Sequence, residues 1–366
     1  MSTLHQLALT RLPGVGPVLA RKLLEHYGHA EAVCRESEKD LLALPGFGKR
    51  IARSFGPSVV FTALKEAEAE LEFIDQAGIR LLYYKDEAYP RRLKDCCDAP
   101  LVLFCQGQAF PDRTRVLSIV GSRKATREGK RLCDLLIKEL RPYDPLIISG
   151  LAYGIDVTAH EAALKNGLPT IGVLGHGMSH MYPAAHHRIS REMIAAGGLL
   201  SEWFHDTPAA PGNFPRRNRI VAGLADATVV VEAGPGGGAL ITADIAASYD
   251  RDVFAFPGRA GDANSQGCLR LIRDHKAQLI TGAADLVWLL GWEPVSVDTS
   301  SKPLQSDEFL PEERDIMQVI SENDGVSIDE LLVLTKNTRH FLCYALINLE
   351  IGGFIENIPG KGYVLP

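Results

Sequence analysis

Long hydrophobic runs are absent from this 366-residue chain, in which no apolar stretch approaches the ~18 residues that suggest a membrane span. The N-terminus, which reads Met-Ser-Thr-Leu-His, also lacks the basic and apolar regions of a signal peptide. Both absences predict a soluble, cytoplasmic protein that does not contact a membrane. The length leaves room for two or three domains and a sizeable core.

Several kinds of chemistry lack their sequence signatures. The seven cysteines are odd in number and include no Cys-x-x-Cys pair, which argues against a disulfide framework and a zinc ribbon. Walker A and G-x-S-x-G patterns are missing, so neither ATP-driven work nor a hydrolytic nucleophile is indicated. His176, His180, His186 and His187 crowd one Gly- and Pro-containing stretch, but their spacing matches no helix-borne ligand pair. We therefore predict no metal, no cofactor and no catalytic residue.

Negative charge is concentrated at one end of the chain. Residues 305–366 carry 11 acidic and 4 basic residues, a net of −7, whereas the whole chain carries −6. The first 304 residues are therefore close to neutral, at +1. Within them, residues 121–131 hold five basic residues against the single acid Glu128. A local basic site on a neutral domain is sufficient for a groove that follows a nucleic-acid backbone.

Six short apolar runs alternate with helix-length amphipathic segments along the middle of the chain. They span residues 116–120, 146–150, 170–175, 198–202, 227–232 and 253–258. Such alternation is typical of βαβ units and predicts a doubly wound, mostly parallel sheet of the α/β class. Most of the runs end in Gly or Ser, which let backbone amides approach an anion at a helix start. Ligands of these folds bind at the carboxyl ends of the strands.

A cluster of three arginines lies between the fourth and fifth runs, within residues 214–220. Arg216, Arg217 and Arg219 fall at a predicted helix start, with no acid beside them in sequence. Guanidinium forks suit phosphate oxygens, and the neighbouring Phe214 offers a surface on which a base can stack. A solvated basic turn is the alternative interpretation.

An internal repeat precedes the sheet. Leu-Pro-Gly-x-Gly occurs at residues 12–16 and again 32 residues later at 44–48, followed each time by an amphipathic segment. The pattern resembles the helix-hairpin-helix motif, whose hairpin amides can hold a phosphate. Paired copies also serve only to pack four helices, and only the second copy adds Lys49 and Arg50. DNA contact and simple packing are therefore both open for this domain.

The end of the chain has its own pattern. Residues 293–308 contain two prolines and many small polar residues, as a linker does. Three helical segments and two short strand patterns follow, which predicts a winged-helix-like domain over 309–366. Its net charge of −7 would repel phosphate, so a protein-contact or regulatory role is favoured. The full division is a helical domain at 1–75, a Rossmann-like DNA-binding domain at 76–292, the linker and the C-terminal domain.

Taken in order, the motifs resemble those of DNA-processing protein A, the DprA/Smf family. They are Gly121-Ser122-Arg123, residues 149–156, Gly175-His176-Gly177 with Tyr182-Pro183, residues 214–223, Leu240-Ile241-Thr242 and Phe256-Pro257-Gly258. The resemblance implies an extended Rossmann domain that binds and protects single-stranded DNA and helps load the recombinase RecA in natural transformation. It also implies a homodimer, for which residues 262–280 are the candidate surface.

The motifs and the resemblance together predict one nucleic-acid site at the strand ends. Its predicted residues are Gly121, Ser122, Arg123, Ser149, Gly150, Gly177, His187, Arg188, Phe214, Arg216, Arg217, Asn218, Arg219, Gly237, Gly238 and Thr242. A related Rossmann superfamily of nucleotide-processing phosphoribohydrolases is the rival. Its motif places a Glu where this chain has Thr242, so the acid that the reaction needs is missing here.

Overall fold

A computed structural model describes residues 2–44, 48–108, 111–295, 311–323, 325–335, 337–351, 354–358 and 362–365. The chain divides into two compact units, Met1–Pro294 and Val295–Pro366. The N-terminal helices and the sheet therefore belong to one unit. No helix in the described ranges is both long enough and apolar enough to cross a membrane.

Six helices open the chain: α1 (Thr3–Arg11), α2 (Pro17–Tyr27), α3 (Ala30–Arg35), α4 (Glu38–Leu42), α5 (Lys49–Ala52) and α6 (Pro57–Gln76). The first repeat loop turns at Gly14, whose φ of +78° favours glycine, and Pro17 then starts α2. Residues 45–47 of the second loop lie outside the described residues. The core of these helices continues into the sheet through Tyr83, Phe104 and Phe204.

The remaining elements of this unit alternate strands with helices. They are β1 (Arg80–Tyr83), α7 (Arg91–Lys94), β2 (Val102–Gly107), β3 (Val116–Val120), α8 (Arg127–Glu139), β4 (Leu146–Ser149), α9 (Ile155–Lys165), β5 (Thr170–Val173), α10 (His187–Ala196), β6 (Gly198–Ser201), α11 (Asn213–Leu224), β7 (Ala227–Val230), α12 (Gly238–Ser248), β8 (Asp252–Ala255), α13 (Gln266–Arg273), β9 (Gln278–Leu279) and α14 (Ala283–Leu290).

The sheet has nine strands in the order β1-β2-β6-β5-β4-β3-β7-β8-β9. Pairs from β6 to β9 are parallel, while β2 pairs antiparallel with both β1 and β6. The prediction of a doubly wound, mostly parallel sheet is confirmed, and β3 to β8 are the six predicted runs. After β6 the chain crosses to the far side of β3 to form β7. This reversal of strand order is the position at which such folds bind ligands.

Successive residues of each central strand face opposite layers of helices. In β3, Val116 and Val120 join a core with α11 and α12, whereas Leu117 and Ile119 join a core with α8, α9 and α14. Side chains alternate in this way along any strand, so a strand covered on both faces must be apolar throughout. That requirement explains why these strands are rich in Val, Ile and Leu, with small residues such as Ser118 as the exceptions.

The second unit contains α15 (Pro311–Glu322), α16 (Ile328–Thr335), α17 (Arg339–Ile351), β10 (Glu356–Ile358) and β11 (Gly362–Val364). The two strands pair antiparallel, and Ile316, Leu331 and Leu342 lie in the core. These elements follow the order predicted from the sequence, while the winged-helix arrangement stays a prediction. Most of the predicted linker, residues 296–308, lies outside the described residues.

Candidate nucleic-acid interface

A cavity of about 540 Å³ opens at the carboxyl ends of β3, β4 and β7, beside the reversal of strand order. We call it the main cavity. Residues 121–124 form one wall and residues 234–238 the other, while Arg217, Asn218 and Thr242 lie at its base. The sequence predicts a site at this edge, and nine of the predicted site residues line this one cavity: Gly121, Ser122, Arg123, Gly150, Arg217, Asn218, Gly237, Gly238 and Thr242. Its position follows from the strand order, because the two connections that leave β3 and β7 diverge there.

Two exposed cations stand at the mouth of the main cavity. Arg123 and Lys124 are exposed, and neither takes part in an ion pair within the described part of the chain. The Arg123 guanidinium lies over the ring of Phe214, 5.4 Å from its centroid, and Tyr182 approaches the same ring at 5.7 Å. A positive wall beside an aromatic face suits a phosphate followed by a stacked base.

The opposite wall is a glycine loop that leads into α12. An added Cβ at Gly236 or Gly238 would meet nothing within 4 Å, so these positions leave open space on the cavity side. The first amides of an α-helix have no partners within the helix, and its dipole places partial positive charge there. The start of α12 can therefore receive an anion.

The start of α8, which follows β3, is closed by contrast. The Glu232 carboxylate accepts hydrogen bonds from both the amide and the hydroxyl of Thr126, and Thr126 in turn caps the amide of Gly129. An anion from solution would have to displace a carboxylate that the fold already provides. Of the two helix starts that follow β3 and β7, α12 is the one that is available.

Arg217 differs from its predicted role. Its side chain is buried, with 3% of the residue exposed, and one terminal nitrogen donates to the carbonyls of Gly150 and Val173. Its Nε donates to Oδ1 of Asn218 at 3.2 Å. Burial lowers the pKa of Arg217 to about 10, which leaves it charged at neutral pH. Arg217 thus links the ends of β4 and β5 beneath the cavity. Its guanidinium is therefore not free to bind a phosphate.

The other two arginines of the cluster point elsewhere. Arg219 forms a buried ion pair with Glu202 and donates to the carbonyl of Asp98 at 2.6 Å. Arg216 is exposed and stacks over the Trp203 ring at 4.5 Å, away from the main cavity. Consecutive helical residues project about 100° apart, so Arg217 faces a different direction from Arg216, whereas Arg216 and Arg219, three residues apart, share the side of α11 that faces Glu202 and Trp203. The predicted convergence of all three guanidiniums on one phosphate track is wrong.

Three predicted backbone positions serve the fold. The Ser149 hydroxyl is buried and donates to the carbonyl of Ile119 at 2.6 Å. The amide of Gly177 donates to Thr207, and a Cβ there would come within 2.0 Å of the Phe204 carbonyl oxygen. At Gly121 a Cβ would meet Ile155 at 2.5 Å. Gly121 and Gly177 thus let neighbouring segments approach closely, and the Ser149 hydroxyl links the ends of β4 and β3; of the three, only Gly121 also lines the main cavity.

His187 and Arg188 are exposed at the start of α10 but do not line the main cavity. Arg188 is 90% exposed and approaches Glu192 at 3.5 Å, a contact that contributes little. Lys124, Asp156 and Asn264 line the cavity and were not among the predicted site residues. Lys124 was recognisable from its basic segment, whereas Asn264 follows β8 without any local signal.

Asp156 is the acid nearest the base of the main cavity, and it is buried. Burial raises the pKa of Asp156, while the Arg217 charge and the amide of Ala152 act in the opposite direction. The sequence crowds His176, His180, His186 and His187 into one stretch, and in the described residues no group of three or more His, Cys, Asp or Glu side chains is arranged to hold a metal ion.

We expect Gly150→Ala to lower the free energy of unfolding by about 1–3 kcal/mol, the usual cost of overpacking a core. The new Cβ would lie 2.5 Å from the Arg217 guanidinium, which cannot move without losing its carbonyl partners. Gly238→Ala is the matched control, because nothing lies within 4 Å of the added atom. Urea unfolding compares them. Equal stability would show that Arg217 is not confined by Gly150.

Fold and site together define a Rossmann-like α/β protein with a cavity, bordered by Arg123 and Lys124, where the strand order reverses. The family model described as DNA recombination-mediator protein A matches residues 80–291, and the chain belongs to this DprA/Smf family. The resemblance inferred from the motifs is confirmed. A second model, the SAM-like helix-hairpin-helix tandem, matches residues 7–54 and confirms the N-terminal repeat.

Individual relatives agree with this assignment. Protein Smf of Escherichia coli (strain K12) is 35% identical over 82% of this chain and 81% of its own length. The X-ray structure of DNA processing protein A from Streptococcus pneumoniae superposes with a TM-score of 0.67 at 31% identity, covering 80% of this chain and 99% of that one. The protein of the same name from Helicobacter pylori, solved for its single-stranded DNA binding mode, gives a TM-score of 0.53 at 28% identity over 59% and 97%.

Proposed function

We propose that this protein binds single-stranded DNA in the cytoplasm, protects it and helps load RecA during natural transformation and recombination. It does so as a binding protein and not as an enzyme. The proposal is supported by the family, whose Helicobacter pylori member is described by its single-stranded DNA binding mode. RecA loading is the finer part of the proposal, and it follows from the family resemblance alone.

One observation carries the DNA-binding part. The main cavity combines two exposed cations that form no ion pair with the described residues and an open, glycine-lined helix start, and the Phe214 ring lies beneath Arg123 in the adjoining depression. Phosphate needs the first two features, and a base needs the third. The residues proposed to contact DNA here are Gly121, Ser122, Arg123, Lys124, Gly150, Phe214, Asn218, Gly237, Gly238 and Thr242. Arg217 lies beneath these residues and holds the ends of β4 and β5 through the carbonyls of Gly150 and Val173.

A homodimer through residues 262–280 also belongs to the proposal. Within this segment Leu271 is buried against the sheet and Ile272 is packed beside it, so they are not free for a partner. Leu279 is 48% exposed and lies on β9, the edge strand of the nine-stranded sheet. An exposed edge strand with an apolar side chain is suited to contact with a second copy. Two DNA sites on one dimer would gain affinity for a long strand through avidity.

The rival phosphoribohydrolase activity has less support. Thr242 is buried, and its hydroxyl donates to the carbonyl of Gly238 at 3.4 Å within α12. A threonine in that contact offers no carboxylate to a ribose. The Glu232 carboxylate, which follows β7, accepts a hydrogen bond from the Thr126 hydroxyl instead.

We expect oligo-dT to bind with a log–log salt slope of about −1.4, because the main cavity offers two exposed cations, Arg123 and Lys124, and each neutralised phosphate of a single strand contributes about −0.7. Fluorescence anisotropy at several salt concentrations measures the slope. A flat response would contradict phosphate recognition at this site. Equal affinity for duplex and single strand would instead favour the helix-hairpin-helix domain. Incubation with nucleoside monophosphates tests the rival, which predicts release of free nucleobase.

A further inference from the structure

A second cavity lies at the carboxyl end of β6, where the N-terminal helices meet the sheet. We call it the β6 cavity. Its volume is about 130 Å³, enough for roughly four waters or a single planar ring. Arg11 and the first repeat hairpin, residues 15–17, form one side, and residues 202–204 with Arg216 form the other. Both sides belong to the same compact unit.

Two guanidiniums stack on two aromatic rings at this cavity. Arg216 lies 4.5 Å from the Trp203 centroid, and Arg11 lies 4.9 Å from the Phe204 centroid. Arg11 is also held by Glu66 at 2.5 Å, whereas Arg216 has no ion pair among the described residues. Guanidinium planes and aromatic faces are the surfaces on which single-stranded bases stack. Arg216 is exposed and can yield the Trp203 face to a base.

Two polar atoms at the same cavity lack partners. The Glu202 side chain is only 8% exposed; its Oε2 pairs with Arg219, but Oε1 has no hydrogen-bond partner within the described ranges. Nε1 of Trp203 is equally unpaired and closed to solvent. A buried donor or acceptor without a partner costs free energy. A donor group at the edge of a nucleobase would suit the Glu202 oxygen, whereas the Trp203 N–H lies in the plane of its ring and is not reached by a base stacked on that ring.

The β6 cavity and the main cavity share one edge of the sheet. The order β6-β5-β4-β3 puts their strands three spacings apart, about 14 Å at the usual separation. A smaller depression between them is lined by Tyr182 and Phe214. Helix α11 borders all three: Phe214 lines the smaller depression, Arg216 lines the β6 cavity, and Asn218 lines the main cavity. A single strand of DNA could therefore follow α11 from one cavity to the next.

We propose that the β6 cavity is a nucleobase subsite, in which Trp203 stacks on a base of the strand whose phosphates occupy the main cavity. The inference rests on the proposed function. It gives the N-terminal repeat a role in binding single strands, because its first hairpin forms one wall of the subsite.

The test compares oligo-dT with an abasic deoxyribose-phosphate strand of equal length. Trp203→Ala should weaken oligo-dT binding by about 10-fold, the size of one lost stacking contact, and leave abasic binding unchanged. Trp288→Ala, which removes a tryptophan that is 79% exposed on α14, is the control and should change neither. Equal losses on both strands, or no loss on either, would overturn the subsite. Failure of the wild-type protein to bind oligo-dT would instead refute the proposed function.

A second measurement does not depend on a truncated side chain. With Trp288→Phe and Trp292→Phe, Trp203 is the sole tryptophan of the chain and reports directly on stacking. Oligo-dT should quench its fluorescence, and the abasic strand at saturating concentration should not. Quenching by both strands or by neither would overturn the proposal, while the anisotropy titration would still report on DNA binding itself.

Discussion

Arg217→Met will lower the free energy of unfolding by about 3 kcal/mol or more, although its neighbour Arg216 can be replaced at little cost. Methionine keeps the length of the side chain but leaves the carbonyls of Gly150 and Val173 without their charged donor. Hydrogen bonds to charged groups contribute about 1.5–3 kcal/mol each, and two are lost. The nearby buried Asp156 also loses the positive charge that opposes the rise of its pKa.

Arg216→Met is the matched control on the same helix. Arg216 is exposed, and its contact with Trp203 contributes only about 0.5–1 kcal/mol at such a site. Urea unfolding followed by far-ultraviolet circular dichroism compares both variants with the wild type. If Arg217→Met and Arg216→Met were equally stable, Arg217 would not be the tie between β4 and β5.

The central sheet was predictable because its strands are covered on both faces. Such burial requires continuous apolar runs, and glycines at the strand ends make the βαβ repeat visible in the sequence. β1 and β2 were missed, since they extend the sheet antiparallel at its edge and do not belong to a βαβ repeat. β9 has only two residues and gives no pattern at all.

The arginine cluster shows where sequence reasoning fails. Three basic residues without an acid beside them indicate an anion site, but adjacency does not report which face of α11 each one occupies. Nor does adjacency in sequence show that Glu202, at the end of β6, forms an ion pair with Arg219. A loss of DNA binding in a protein that lacks both Arg216 and Arg217 would therefore mix a surface effect with damage to the core. Separate substitutions are needed.

The DNA site itself depends on Arg123 and Lys124. Replacing both with Ala should weaken oligo-dT binding by about 100-fold, because each charge-assisted contact to phosphate contributes about 1.5–3 kcal/mol. The loss should be independent of base sequence, since phosphate contacts position a strand without reading it. Two fewer neutralised phosphates should also make the log–log salt slope less negative by about 1.4 on a single strand.

A variant that loses the same charge elsewhere distinguishes binding at the main cavity from a general attraction of DNA by positive charge. Lys130→Ala with Arg131→Ala removes the same two charges from α8, where Arg131 is exposed and paired with Glu128 at 2.8 Å. These side chains do not line the main cavity, so we expect less than a threefold change in affinity. Fluorescence anisotropy at matched ionic strength measures both variants. Equal losses would mean that the basic segment attracts DNA through its net charge and that the main cavity is not where the strand binds.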